Sequence, residues 1–191
     1  MTTKSAFSVV GLAHKVCLSA EEQGYTPELL NSLAENSDLF RQLLQVQRGY
    51  AEMKLIKHVI DCDANPFVPD GWKVEEHQKG GQLVWDASKV QLYLSDGQKN
   101  GKVIEGNKLR KELAGKPVLN ANVLDHHLAN PHLISEEWKG KVIFFWGTIY
   151  RSSDGNLCVR CLSWDGDRWY WAYLWLDDDW SGYRPVALRA S

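Results

Sequence analysis

The chain has 191 residues, 22 basic against 24 acidic side chains for a formal charge of −2, and 44% hydrophobic and 11% aromatic residues. A near-neutral balance excludes binding of nucleic acid or anionic membranes by bulk charge, and this composition excludes a disordered chain. No apolar run reaches the roughly 18 residues that a membrane span needs, and the length suffices for one sizeable core with a helical appendage.

In the first fifty residues, Val9, Leu12, Val16 and Ala20 recur at helical spacing, and Gly24 ends that segment. Lys4 followed by AFSVVGLA resembles a secretion signal only loosely, because His14 and Lys15 interrupt it. A cytoplasmic location is therefore expected. Thr26-Pro27-Glu28 is a helix start, with Thr as cap, Pro in the first turn and Glu at the positive end. Ser37 is expected to cap a third helix whose apolar side is Phe40, Leu43, Leu44 and Gln47. Residues 1–52 thus read as a helical segment and 53–191 as an α+β domain.

From Lys54 to Cys62 the alternation of Ile56, His58 and Ile60 predicts a strand. Asp61-Cys62-Asp63-Ala64-Asn65-Pro66 opens like a calcium loop. It fails as one, since Pro66 stands where the sharp turn needs Gly and Trp72 where a bidentate Glu is needed. Pro66, Pro69 and Asp70-Gly71 make a rigid loop. Trp72–His77, Gly80-Gly81 and Gln82–Trp85 then read as a hairpin. Val90–Leu94 fits either strand or helix. Lys99 to Lys116 is the one notably basic stretch, and Asn107–Ala114 within it reads as a solvated helix. Asn120 caps a helix carrying Val123, Leu124 and Leu128. Adjacent His126 and His127 diverge on that helix, so no pair with metal-ligand spacing exists there.

Residues 142–180, VIFFWGTIYRSSDGNLCVRCLSWDGDRWYWAYLWLDDDW, hold Trp146, Trp164, Trp169, Trp171, Trp175 and Trp180 of the nine tryptophans. Turn signals at Ser153-Asp154-Gly155-Asn156 and Asp165-Gly166-Asp167 cut the stretch into a three-stranded antiparallel meander. With an Asp154-Gly155 loop and an even second loop, one face collects Phe144, Trp146, Thr148, Tyr150, Val159, Cys161, Tyr170, Ala172 and Leu174. The other collects Ile143, Phe145, Ile149, Leu162, Trp164, Trp169, Trp171, Tyr173 and Trp175, with Arg160 among them. Neither face has a polar row, so both want cover, from the chain itself or from a partner or ligand. Arg160 suits a cation–π position in the aromatic wall. Cys158-Val159-Arg160-Cys161 matches CxxC, but residues three apart in a strand point to opposite faces. Reduced core thiols follow, rather than a metal clamp or disulfide.

The phrases HVIDCDANPFVPDGWKVEEH, KPVLNANVLDHHLANPHLISEEWKGK and FFWGTIYRSSDGNLCVRCLSWDGDRWYW resemble a recurring group of bacterial proteins without an assigned function, over about residues 50–191. The resemblance implies no activity, cofactor or catalytic residue.

There is no phosphate loop, nucleophile elbow or H-E-x-x-H zinc motif. No catalytic residue, metal ligand set or cofactor is assigned. The expected fold is an N-terminal helical cluster followed by an antiparallel sheet of about five to seven strands, with two inserted helices. The expected function is non-enzymatic binding of a protein partner through Arg160, Trp164, Trp169, Trp171, Tyr173 and Trp175. One alternative is single-stranded nucleic acid stacked on those rings, with Lys108, Arg110 and Lys111 on phosphates. The other is a metal-assisted hydrolase built from Asp61, Asp63, His126 and His132.

Overall fold

A computed structural model describes residues 6–53 and 56–190, the side chains of residues 6–12 excepted. The chain divides into two compact units, Met1–Ile56 and Lys57–Ser191. The first comprises α1 (Ala6–Glu22), α2 (Pro27–Glu35) and α3 (Ser37–Gln47). Thr26 Oγ1 accepts the Leu29 N–H at 3.3 Å, as its place before Pro27 predicts. The cap of α3 is Asn36 rather than Ser37. Its Oδ1 accepts the Leu39 N–H at 3.0 Å, and Ser37 is already helical. The helices α2 and α3 bury no residue, and Leu29, Phe40 and Leu44 are exposed. Val9 and Leu12, expected on the apolar side of α1, lie outside the described side chains, as does Lys54 at the expected start of the next strand.

The second unit is α+β. Its strands are β1 (Val59–Asp61), β2 (Lys73–His77), β3 (Gln82–Val84), β4 (Val90–Tyr93), β5 (Ile104–Glu105), β6 (Ile143–Phe144), β7 (Thr148–Arg151), β8 (Leu157–Trp164), β9 (Trp169–Trp175), β10 (Asp179–Trp180) and β11 (Val186–Arg189). The helices α4 (Gly106–Glu112) and α5 (Ala121–Ala129) are inserted between them. Seven strands form one mixed, mostly antiparallel sheet in the order β2-β7-β8-β6-β11-β4, with β9 on the other edge of β8. Among the described residues the one parallel pair is β6 with β11. Two short ladders, β1 with β3 and β5 with β10, stand apart from it.

The predicted meander is present, and β8 is its middle strand. Its residues from Cys158 to Ser163 are all buried. Apolar side chains on both faces explain this, because such a strand is stable only when covered twice. One face packs Phe144, Val159, Cys161 and Val186 against Leu109 and Leu113 of α4 and against Trp180. The other packs Ile143 and Leu162 against Val123 and Leu124 of α5 and against Ile60 and Leu83 of the β1–β3 ladder.

The β8–β9 register runs from Cys158 opposite Trp175 to Trp164 opposite Trp169. That leaves an even four-residue loop and sorts the faces of these strands as predicted. The β7 assignment is corrected. The first strand is broken at Phe145-Trp146-Gly147: it advances six positions from Phe144 to Tyr150, while β8 retreats only three, from Cys161 to Cys158. The β7–β8 loop is residues 152–156, five residues rather than the two of Asp154-Gly155, and this odd change reverses the faces of β7. The three extra residues of the break leave β6 on its expected faces. Ile149 therefore joins the α4 side, and Tyr150 the side with Cys158 and Trp72. The break also splits the sheet, since β6 continues into β11 while β7 takes β2 as its second neighbour.

The predicted hairpin of residues 72–85 does not form. β2 pairs with β7, and β3 peels away to pair with β1. Four of the five β2 side chains are exposed, so this strand has no apolar row to share with β3. Leu83 is instead buried with Ile60.

Gly147 fixes the break. Its N–H donates to Leu119 O at 2.9 Å, and its carbonyl accepts the Gln78 N–H at 2.6 Å. A Cβ there would stand 2.8 Å from Asn120 Cβ and 2.9 Å from Asn120 N and Cα. Asn120 cannot yield, because it caps α5 and donates through Nδ2 to Cys62 O at 2.8 Å and Gln78 O at 3.0 Å. Gly147→Ala is expected to destabilise the fold by about 1–3 kcal/mol, the usual cost of overpacking against fixed backbone. Urea denaturation measures it, and because Gly147 has no positive φ the loss reports the close approach to Asn120 alone.

Candidate interaction surface

Arg160 is the only charged residue of β8 and is 1% exposed. A buried guanidinium needs a matching anion, and helix α5 supplies it. Asp125 accepts from both terminal nitrogens of Arg160, Nη2 to Oδ1 at 2.7 Å and Nη1 to Oδ2 at 3.1 Å. The planar fork fits a carboxylate in this two-bond geometry. Aromatic rings pack around the guanidinium. The Arg160 guanidinium carbon lies 4.6 Å from the Trp171 ring centre, 5.1 Å from that of Phe67 and 6.0 Å from that of Tyr150. The Tyr150 hydroxyl donates to Phe67 O at 3.0 Å, tying that loop to the sheet. Burial pushes the Tyr150 phenol up to about 12. Removing Asp125 costs about 3–5 kcal/mol, because the buried guanidinium is left charged and unpaired. Arg160 is thus an internal anchor beneath the aromatic surface rather than a group presented to a ligand.

Above it the aromatic face of β9 divides into two clusters. Trp164 and Trp169 pair at 5.3 Å, with Lys139 Nζ 4.2 Å from the Trp164 ring centre. Further along, Trp72 meets Tyr173 at 4.8 Å and Trp171 at 6.3 Å, Phe67 meets Trp171 at 6.4 Å, and Tyr173 meets Trp175 at 5.3 Å. These edge-on contacts are favourable arrangements for aromatic quadrupoles. Trp164, Trp169, Trp171 and Trp175 are half-buried, while Tyr173 is 39% and Phe67 54% exposed. The surface is therefore partly open.

Among the described residues, β9 pairs only with β8. Leu176 N–H donates to Leu157 O at 2.9 Å, so strand alternation turns the backbone groups of Trp169, Trp171 and Tyr173 to the opposite, unpaired edge. The Trp175 carbonyl on that edge is already taken by Asp178 N–H at 3.3 Å and Trp180 Nε1–H at 3.3 Å. Asp165 and Asp167 stand before the strand, and Asp177, Asp178 and Asp179 after it.

The remaining sequence candidates have other partners. Asp61 Oδ1 accepts Asp63 N–H at 3.0 Å, and Asp63 Oδ1 accepts Gly81 N–H at 2.9 Å, so both carboxylates brace turns. His126 Nε2 lies 3.3 Å from His58 Nδ1, and the His132 ring lies 5.6 Å from that of His58. Burial, then the neighbouring His58 and His132, hold the His126 imidazole below its usual range. Among the described residues, no group of three or more His, Cys, Asp or Glu is arranged to hold a metal ion. Cys158 and Cys161 are free thiols buried in different core clusters on opposite faces, as the strand spacing predicts, and burial pushes each up to about 12. Lys108 pairs with Glu105 and Arg110 with Glu76. They belong to α4, which covers the sheet face opposite the tryptophan row. None of the described helices is long and apolar enough to cross a membrane.

Phe67, Trp72 and Asp125 complete the surface, and sequence reasoning did not place them there. Pro66 and Pro69 marked their loop as rigid but carried no signal of its destination. No protein-family model, curated protein or solved structure matches the chain, so the functional reading rests on its geometry alone.

His127 lies beside this surface and is fully buried, with its ring 4.2 Å from that of Trp85 and 5.6 Å from that of Trp138. Among the described residues, neither ring nitrogen has a hydrogen-bond partner. Burial, with the neighbouring His126, depresses it from 6.5 to about 3. The folded chain therefore refuses a proton that the unfolded chain accepts below pH 6.5. Between there and about pH 3 this group should remove about 1.4 kcal/mol of stability per pH unit. Urea melts of the wild type and His127→Leu from pH 7 to 4 check this. The wild-type curve should fall more steeply by that amount, and parallel curves would refute the assignment.

Proposed function

We propose that the chain is a non-enzymatic binding module that takes an extended segment of another polypeptide along the open edge of β9. The carrying observation is the edge itself. Trp169, Trp171 and Tyr173 offer unpaired backbone groups beside half-exposed rings, with no proline, lysine or bulge to guard them. Proteins ordinarily blunt such edges, because a bare one templates a further strand. Strand addition gains affinity from main-chain bonds and selectivity from alternate side chains, and tryptophan and tyrosine carry much of the energy at interfaces. The charge pattern favours a basic partner. An antiparallel segment would begin opposite Asp177–Asp179 and end opposite Asp165 and Asp167.

The same carboxylates oppose single-stranded nucleic acid, and the cations that would contact phosphate lie on the other face of the sheet. The hydrolase reading has no observation in its favour.

The test is titration of ¹⁵N-labelled protein with a synthetic heptapeptide, two lysines followed by alternating valine and tyrosine. Amide shifts are expected to concentrate at Trp169, Trp171 and Tyr173. Tyr173→Pro removes one outward N–H, at a position where an edge strand tolerates proline, and should weaken binding at least tenfold. Tyr173→Phe should bind like the wild type. Equal affinity for a peptide with glutamates in place of the lysines, or unchanged binding by Tyr173→Pro, would defeat the reading.

A further inference from the structure

We infer that the groove between α4 and the β2–β7 corner is a separate binding site for a small amphipathic carboxylate, a flat apolar body bearing one negative charge. The groove has a volume of about 690 Å³, within the range of small-molecule sites. It exists because the sheet splits at Phe145-Trp146-Gly147. β6 continues under α4 while β7 carries β2 away, and α4 ends at Glu112 before it can fill the gap.

The floor is apolar, formed by Trp146, Ile149, Leu113 and Val118. Trp146 is 5% exposed and braced by Trp180 at 4.7 Å, so the floor is rigid. The walls are polar: Gln78, Arg110, Lys111 and the carboxylate of Glu76 line them, and Asn107 is turned to other carboxylates, its Nδ2 donating to Asp177 at 2.7 Å and Glu105 at 3.4 Å. Arg110 spans from α4 to β2 through its ion pair with Glu76. Lys111, one residue on, has no carboxylate partner among the described residues. Two cations against one anion leave a surplus of one positive charge over an apolar floor. A monocarboxylate matches that surplus, and Arg110 already holds one carboxylate, that of Glu76. Glu76 disfavours a doubly charged phosphate.

This site lies on the α4 side of the sheet, away from the aromatic row of β9, and stands or falls independently of the proposed function. The probes are 2-naphthoate and its neutral counterpart 2-naphthalenemethanol, titrated calorimetrically at low ionic strength. Naphthoate should bind saturably at one site per chain, and the alcohol at least tenfold more weakly. Lys111→Glu should weaken naphthoate at least tenfold without affecting the alcohol. Ala114→Trp, which fills the groove from its rim, should abolish both. Lys111 and Ala114 are exposed, so both variants should retain the wild-type melting transition, which is measured alongside. No saturable naphthoate binding, equal affinity for the two probes, or naphthoate binding unchanged in either variant would overturn the assignment.

Discussion

A strand covered on both faces and paired on both edges leaves little room for charge, yet Arg160 sits in the middle of β8. The structure resolves this by bringing Asp125 from α5 onto the guanidinium in a two-bond clasp. That contact sets the position of α5 over one face of the sheet. The cap of the same helix, Asn120, then meets Gly147 at the break in the first strand and reaches Cys62 and Gln78 in the loops beyond. One buried charge thus links the central strand, the covering helix and the point where the sheet divides.

Two consequences for function follow from that division. On the α5 side, the loop carrying Phe67 and Trp72 folds over the guanidinium and leaves the rings of β9 half-covered, next to an edge that no other described strand occupies. On the α4 side, the divergence of β6 and β7 opens a groove whose floor is the indole of the break itself. Backbone groups in an extended row suit a peptide, whereas a concave apolar floor with a surplus cation suits a small anion. The two surfaces therefore suit different classes of ligand.

Much of the meander was legible because its signals are local. Asp154-Gly155 and Asp165-Gly166 mark turns, alternation marks strands, and the even loop between Trp164 and Trp169 sets the register of β8 with β9. The break was not legible. Phe145-Trp146-Gly147 continues an apolar run with no turn residue other than a glycine, and what requires that glycine is the approach of Asn120, distant in sequence. The face reversal of Ile149 and Tyr150 has a separate cause, the five-residue loop 152–156 in which Asp154-Gly155 marks the turn but not its length. The 72–85 hairpin failed for a related reason. Gly80-Gly81 signals a turn, but burial chose the partners, β7 for β2 and β1 for β3. Arg160 was legible as a cation among rings. Its anion was not, because Asp125 on an amphipathic helix looks like any other half-exposed carboxylate.

The account depends most on the open edge of β9, and residue-resolved amide hydrogen exchange addresses it directly. In the free protein, Tyr170, Ala172 and Leu174 should be strongly protected, since their N–H groups face β8, while Trp169, Trp171 and Tyr173 should exchange orders of magnitude faster. Uniform protection along the strand would mean that the edge is already occupied, and would contradict the account.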